Sequence, residues 1–221
     1  MAEKKKRAYS VNTRLRQAQD TRFRITAAAA ELLVSVGYDA MTIDSIAERA
    51  EVSSQTVYAA FRSKAGILAE LLDKSAFDSD YQTLTREALE HDNPPERLRF
   101  AARIARHIYE AQVKTIDLVQ GAGVLAPELA ILIQEREQMR FKHQTHMIDF
   151  VVKSAALKPN LDRVRAHDIL WTLTSRDIYR MLVVGRGWSP QAYEDWLGDI
   201  LVQQLLTKTK ALPGSRRAGP K

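Results

Sequence analysis

Apolar residues recur at helical spacing along almost the whole chain, and this pattern limits its fold more than any other feature. From Thr21 onward, apolar side chains return every three or four residues, which is the period of an α-helix. Prolines stand at the joints between the predicted helices, where a helix begins or ends. With 9 glycines and 7 prolines in 221 residues, the chain is poor in the turn residues that a β fold needs. The sequence therefore predicts an all-α protein. Beyond residue 63 its helices are expected over 64–91, 95–121, 127–157, 162–184 and 190–208, and the first two of these can contain a break.

Charge is unevenly distributed along the chain. The net charge is +6, yet residues 1–25 alone carry +6, residues 208–221 carry +5, and the stretch between them carries −5. A basic front on an acidic body indicates contact with a polyanion, although two solvated basic tails explain the same numbers. The absence of cysteine excludes a disulfide framework and thiolate chemistry. Because no apolar run approaches a membrane span and no signal peptide is present, we expect a cytoplasmic protein with no membrane contact.

Two short helices joined by a tight turn are predicted over residues 42–61. Thr42 and Ser53 are good N-caps for them, and Ala47 is small where the helices must approach. The outer face of the second helix carries short polar side chains and one tyrosine, which are suited to base edges and phosphates in a major groove. An αα-hairpin inside a helical bundle has the same spacing, so both interpretations remain open here. The residues on that face are Ser54, Gln55, Thr56, Tyr58 and Ala59.

The run from Ile25 to Leu68 resembles the tetracycline-repressor (TetR) family of bacterial transcription regulators. Its most specific parts are residues 37–43 (GYDAMTI), 50–53 (AEVS), 56–58 (TVY) and 61–64 (FRSK). The stretch Trp188 to Leu197 is similar to the closing helix of many members. The resemblance implies an all-α dimer with an N-terminal three-helix bundle that holds a helix-turn-helix, followed by a larger helical ligand-binding and dimerisation domain. The predicted segments are a mobile basic arm over 1–18, the DNA-binding domain over 19–66, the ligand-binding and dimerisation domain over 67–208, and a disordered basic tail over 209–221.

The resemblance also implies which side chains meet DNA. Bases would face Ser54, Gln55 and Thr56, and phosphates would face Thr42, Tyr58, Ala59 and Lys64. A lysine at a helix start suits this role, because its charge and the free helix N–H groups attract the same phosphate. Arg22 and Arg24 open the first helix and are predicted to lie beside phosphates as well. The arm before them either contacts DNA or acts only as a solubility tail.

Two positions depart from the family pattern. The family usually has glycine where Glu51 stands, in the turn between the two short helices. A residue other than glycine at positive φ destabilises the folded protein by about 1–2 kcal/mol, unless the backbone of this turn differs from that of the family. Gln55 replaces another frequent glycine and adds a side chain at the groove, which we expect to contribute specificity.

A ligand pocket is predicted from polar residues among apolar ones. In the helix over 127–157, a stripe at alternating spacings of three and four contains an arginine and two histidines, which are unusual among large apolar residues. The alternative is that both histidines lie at a face boundary and are solvated. No metal site or cofactor is predicted, because the two histidines lack an identifiable third ligand. The candidate pocket residues are His107, Tyr109, Arg136, Met139, His143, His146 and Trp171.

The last two helices are predicted to form a dimer interface. The final helix has one apolar stripe, while the helix over 162–184 is apolar on more than one side and needs several partners to cover it. A fully buried helix within a monomer is the alternative. The predicted interface residues are Ile178, Leu182, Tyr193, Trp196, Leu197, Ile200, Leu201 and Leu205.

These observations predict a homodimeric, sequence-specific transcriptional regulator and not an enzyme. Its partners would be double-stranded DNA with a palindromic operator, a second copy of the chain and an unidentified small-molecule effector. Repression relieved by the effector is the expected mode of action. A DNA-binding protein with no small ligand, architectural or partner-regulated, is the first alternative. A DNA-processing enzyme is the second, and it is disfavoured because the carboxylates are scattered and no phosphate-binding glycine loop is present.

Overall fold

The computed structural model describes residues 2–123 and 127–207, and all the regular elements in these ranges are helical. One isolated antiparallel bridge joins Leu157 to Leu206. The helices are α1 (Ala2–Ala40), α2 (Ile43–Arg49), α3 (Ser54–Phe61), α4 (Lys64–Ala76), α5 (Ser79–Glu90), α6 (Pro94–Gly123), α7 (Pro127–Lys153), α8 (Arg163–Leu173), α9 (Arg176–Tyr179), a π-helical turn (Arg180–Val184) and α10 (Pro190–Leu205). The predicted all-α class is confirmed.

Helix α1 begins well before the point that the sequence predicts. The predicted mobile arm over 1–18 is helical from Ala2 onward and continuous with the rest of α1. Its alanine, lysine, arginine and glutamine residues favour helix, and no glycine or proline interrupts the chain before Gly37. Gly37 has φ 79°, so the regular helix breaks there, as predicted. The predicted tail over 209–221 lies outside the described residues.

The first of two compact units contains the chain up to Gln82 together with His107–Met139. Its core joins the inner faces of α1 to α4 and includes Ile25, Leu33, Ile46, Val57 and Leu68. Helix α4 runs without interruption through residues 66 and 67, where the two predicted domains meet. The start of the predicted ligand-binding domain is therefore part of the same helix that follows the helix-turn-helix.

The second unit contains residues 83–106 and the chain from Arg140 onward, and in it α10 packs against α8. The prediction of a single helix over 162–184 is wrong, because α8 ends at Leu173 and a new helix begins at Arg176. The Thr174 hydroxyl donates to Leu170 O at 2.7 Å, and Ser175 caps α9. Such hydroxyls compete with the backbone for hydrogen bonds and interrupt helices.

The predicted dimer interface is corrected for half of its members. Tyr193, Leu197, Leu201 and Leu205 are completely buried within one protomer, where they form the core-facing side of α10. A side chain with no exposed surface in the protomer has none left to bury against a partner. The other four predicted residues, Ile178, Leu182, Trp196 and Ile200, are half-buried in the protomer.

Candidate nucleic-acid interface

Helix α2 is fixed at its start by a reciprocal pair of hydrogen bonds. Ser45 N donates to Thr42 Oγ1 at 3.0 Å, and Thr42 N donates to Ser45 Oγ at 3.0 Å. This capping box satisfies backbone donors that the first helical turn leaves free. The predicted cap at Thr42 is confirmed, and Thr42 remains exposed beside the turn.

Helix α3 turns one apolar face inward and one polar face outward. Ser53 Oγ accepts from Thr56 N at 3.1 Å and sets the start of the helix, as predicted. Val57 and Phe61 are buried against the core of the first unit. Gln55, Tyr58 and Ala59 are exposed, and Ser54 and Thr56 are half-buried. The structure therefore brings the predicted DNA-facing residues of α3 to one accessible side.

The polar side chains on α3 differ in how far they are engaged within the protein. Ser54 Oγ donates to Asp44 Oδ1 at 2.5 Å, and Thr56 Oγ1 lies 2.8 Å from Ser53 Oγ. Gln55 makes no hydrogen bond to any of the residues that the structure describes. Its exposed amide keeps both donors and its acceptor for an external partner, and paired donor and acceptor groups are what an adenine edge requires.

The turn between α2 and α3 has a strained backbone at Glu51, which is one of the two alternatives that the sequence left open. Glu51 has φ 53°, in the left-handed region that glycine normally occupies. The turn is closed by Val52 N, which donates to Ala47 O at 3.0 Å. Its closure keeps α3 in place, so the strain at Glu51 is tolerated.

Replacing Glu51 with glycine is expected to stabilise the protein by about 1 kcal/mol, because it relieves the left-handed strain without removing a contact. Chemical denaturation of wild type and Glu51→Gly measures the difference. Removing the exposed carboxylate should also strengthen binding to DNA of any sequence. A less stable Glu51→Gly would contradict the strain argument.

Lys64 lies at the first position of α4 and is held on Tyr38. Its Nζ donates to Tyr38 O at 3.0 Å and lies 4.3 Å from the centre of the Tyr38 ring. Tyr38 is buried and donates through its hydroxyl to Glu128 Oε1 at 2.9 Å. Burial and Glu128 together raise the pKa of Tyr38, so this hydroxyl stays a donor at neutral pH. An ammonium has three donors, and Lys64 keeps N–H groups for a phosphate.

The two predicted arginines of α1 have different surroundings in the first unit. Arg22 Nη1 donates to Ala60 O at 2.7 Å, and its Nη2 bonds the Glu70 carboxylate. The guanidinium is thus engaged by protein groups that are 38 and 48 residues away in sequence, which no local pattern reveals. Arg24 is exposed and stays a predicted phosphate neighbour. The sequence could have indicated that Glu70 has a partner, because this carboxylate stands three residues after the buried Ile67, on the apolar side of α4.

The predicted pocket residues are distributed over the two units, and their surroundings differ. Met139, His143 and His146 are exposed, because the buried side of this part of α7 is formed by Ile148 and Val151. Two more of the candidates are engaged within the first unit: His107 Nε2 lies 3.0 Å from Asp78, and Arg136 bonds Asp73 at 2.9 Å. Tyr109 is buried in the same unit, and Trp171 of the second unit lies 5.1 Å from the Arg140 guanidinium.

Among the side chains that the structure describes, no three of His, Asp or Glu are grouped so that they could hold a metal ion. None of the helices over residues 2–123 and 127–207 has a long enough apolar stretch to cross a membrane.

The family of bacterial regulatory proteins named tetR matches residues 25–71, which contain α2, α3 and the core-forming parts of α1 and α4. The HTH-type transcriptional regulator YdeS of Bacillus subtilis is 28% identical over 166 residues, which cover 73% of this chain and 78% of YdeS.

Two solved structures share the fold at low sequence identity. NalD, the secondary repressor of the MexAB-OprM multidrug efflux pump in Pseudomonas aeruginosa, is 20% identical with a TM-score of 0.68, over 86% of this chain and 100% of that chain. FadR from Bacillus subtilis, solved with stearoyl-CoA, is 18% identical with a TM-score of 0.62, over 81% of this chain and 97% of that chain. Residues 25–71, which hold the capped helix-turn-helix with its exposed polar face, therefore match the tetR family of bacterial regulatory proteins, and the chain shares the fold of NalD and FadR.

Proposed function

We propose that the protein is a homodimeric repressor that binds a palindromic operator in the cytoplasm and leaves it when a small molecule binds. The observation that carries the proposal is the exposed face of α3, where Gln55, Tyr58 and Ala59 stand outward on a helix whose start and inner face are fixed. Helices of this kind insert their first turn into a major groove. Gln55 would read bases, while Tyr58 and Lys64 would contact phosphates.

A palindromic operator is what pairing of two protomers would require. A two-fold dimer presents its recognition helices to major grooves about 34–36 Å apart, or a multiple of that distance, and a palindrome matches this symmetry. The surface we propose for pairing surrounds the π-helical turn, where Met181 and Val184 are exposed. Around them stand the half-buried members of the predicted interface, Ile178, Leu182, Trp196 and Ile200.

The contacts of α4 support a response to a ligand. Gln112 of α6, which is 6% exposed, donates through Nε2 to Leu72 O at 2.9 Å. Arg136 of α7 donates to Ala69 O at 2.7 Å and pairs with Asp73. These bonds hold the helix that begins at Lys64, so a shift of α6 or α7 would reach the phosphate anchor. A ligand that prefers another position of these helices would lower the DNA-competent population.

A polar cluster in the second unit supports a small ligand. Gln144 Nε2 donates to Thr174 Oγ1 at 2.7 Å, but Gln144 Oε1 and Trp171 Nε1 are buried with no partner among the described residues. An unpaired buried polar atom costs about 1–3 kcal/mol. A ligand that supplies one donor and one acceptor would remove both costs. FadR, which shares the fold, was solved in complex with stearoyl-CoA, so this fold can hold a small molecule.

Selection of bound fragments from a random DNA library tests the proposal. The full-length protein should enrich one palindrome with half-sites about 10–10.5 base pairs apart, or a multiple of this spacing. Sedimentation at micromolar concentration should show a dimer. Failure to enrich any sequence, or a monomer that binds DNA as tightly as a dimer, would contradict the proposed function.

Replacing Lys64 with alanine should weaken binding to the selected operator and to random DNA by similar factors. The lost phosphate contact should flatten the dependence of log K on log salt concentration by about one unit. Fluorescence anisotropy across a salt series measures both quantities. Lys153, the basic residue in the last turn of α7, provides the control variant Lys153→Ala, which should leave the slope unchanged. If the salt dependence of Lys64→Ala equals that of wild type, Lys64 does not contact a phosphate.

A further inference from the structure

The carboxyl end of α3 is held by one arginine from α1. Arg22 Nη1 donates to Ala60 O at 2.7 Å, and the guanidinium carbon lies 4.3 Å from the centre of the Phe61 ring. Ala60 and Phe61 are the last two residues of α3. Carbonyls at this end have no partner within the helix and carry partial negative charge, so a cation stabilises them. Arg22 therefore both bonds to and stacks on the end of the recognition helix.

The same guanidinium is held from the other side by α4. Arg22 Nη2 bonds the carboxylate of Glu70, which also pairs with Lys74 Nζ at 3.3 Å. The Glu70 side chain is only 20% exposed. Burial by itself raises the pKa of Glu70, but the hydrogen bonds from Arg22 and Lys74 outweigh burial and hold that pKa below its ordinary value. The carboxylate is charged at neutral pH and keeps the guanidinium in one orientation.

Arg22, fixed by Glu70, joins three helices of the first unit at one point. We propose that Arg22 is a positioning residue for base recognition, which fixes the carboxyl end of α3 against α1 and α4 and so sets the angle at which α3 meets the bases. This inference rests on the proposed function, because it requires a sequence-specific operator. It assigns to Arg22 a role through α3, in place of a direct contact with phosphate.

The two roles have different consequences for DNA binding. Base-directed hydrogen bonds weaken steeply when donor and acceptor lose alignment, whereas attraction between a cation and a phosphate falls slowly with distance. A small displacement of α3 therefore lowers specific binding and leaves binding to random DNA nearly unchanged. Loss of a phosphate contact lowers both together and flattens the salt dependence.

The test compares operator and random-DNA affinities of full-length wild type, Arg22→Met and Glu70→Gln. Methionine keeps much of the length and the packing on Phe61 but removes the donors and the charge. For Arg22→Met we expect the ratio of operator to random-DNA affinity to fall about tenfold, which is within the range that one mismatched base pair produces. The salt slope on random DNA should stay that of wild type. The affinity ratio is insensitive to partial unfolding, because unfolding removes both kinds of binding equally.

Glu70→Gln and Arg24→Met complete the experiment. Glu70→Gln leaves the bond to Ala60 in place and should lower the ratio in the same direction. Combining it with Arg22→Met should add no further loss, because both changes act through one contact. Arg24→Met, two residues away and exposed, is the matched control: it should lower both affinities together and leave the ratio intact.

Three outcomes would overturn the inference. An unchanged ratio in both Arg22→Met and Glu70→Gln would show that the network does not position α3. An equal loss on operator and random DNA with a flatter salt slope would make Arg22 a phosphate contact. Failure of the wild type to enrich any operator would contradict the proposed function itself, and this inference would fall with it.

Discussion

Leu201→Glu is expected to unfold the protomer rather than to separate two protomers. Leu201 is completely buried in α10, which packs against α8 within one unit. A carboxylate placed there has no partner, and an unpaired charge in a core lowers the free energy of unfolding by about 4–5 kcal/mol or more. That is a large part of the stability of an ordinary domain. Urea denaturation followed by far-ultraviolet circular dichroism measures the loss, and insoluble expression would be its extreme form.

Met181→Glu is the matched variant on the proposed pairing surface. Met181 is 56% exposed within the protomer, so the new carboxylate remains solvated there and the fold should be retained. In a dimer that buries this surface, two related carboxylates would face each other without compensation. We expect a folded monomer in sedimentation, with operator binding weakened because only one half-site is engaged. A Met181→Glu dimer as tight as wild type would place the interface elsewhere, and a stable, folded Leu201→Glu would contradict the burial argument.

Gln55→Ala is expected to relax the operator sequence at one symmetric pair of positions. The amide of Gln55 is exposed in the first turn of α3 and makes no hydrogen bond to the residues that the structure describes. First-turn side chains of a recognition helix come closest to base edges, and a bidentate amide contact discriminates between bases by about 1–3 kcal/mol. Random DNA should bind nearly as before, because no phosphate contact is lost. Selection from a random library with wild type and Gln55→Ala measures the change.

A competing interpretation is that Gln55 folds back onto the free N–H groups at the start of α3, or touches phosphate. Ser53 Oγ already accepts from Thr56 N, which reduces the need for a second cap. If the competing interpretation held, specific and random binding would fall together in Gln55→Ala. Ser54→Ala serves as the control, because the Ser54 hydroxyl is bound to Asp44 and should contribute less to the selected motif. Identical selected motifs for wild type and Gln55→Ala would end the base-contact proposal.

The helix-turn-helix could be predicted because its determinants are local. Thr42, Ser53 and Ser63 cap their helices through bonds to the backbone three residues ahead, so residue type and position suffice to place all three helix starts. The positive φ of Glu51 follows from the tight turn and from its place in the matched segment. The outer face of α3 follows from helical spacing, because the apolar side chains of Val57 and Phe61 mark the opposite face.

Beyond these local features, the sequence by itself determined that α10 has an apolar stripe, but only the tertiary structure decided what covers it. Helical periodicity indicates that one face of a helix is buried. It does not distinguish a face buried within the protomer from a face buried by a second copy. The structure buries Leu201 in the protomer and turns His143 outward. It also brings Arg22 to Ala60 and Glu70, which are 38 and 48 residues away. Contacts at such separations depend on how whole helices pack, and spacing within one helix carries no information about them.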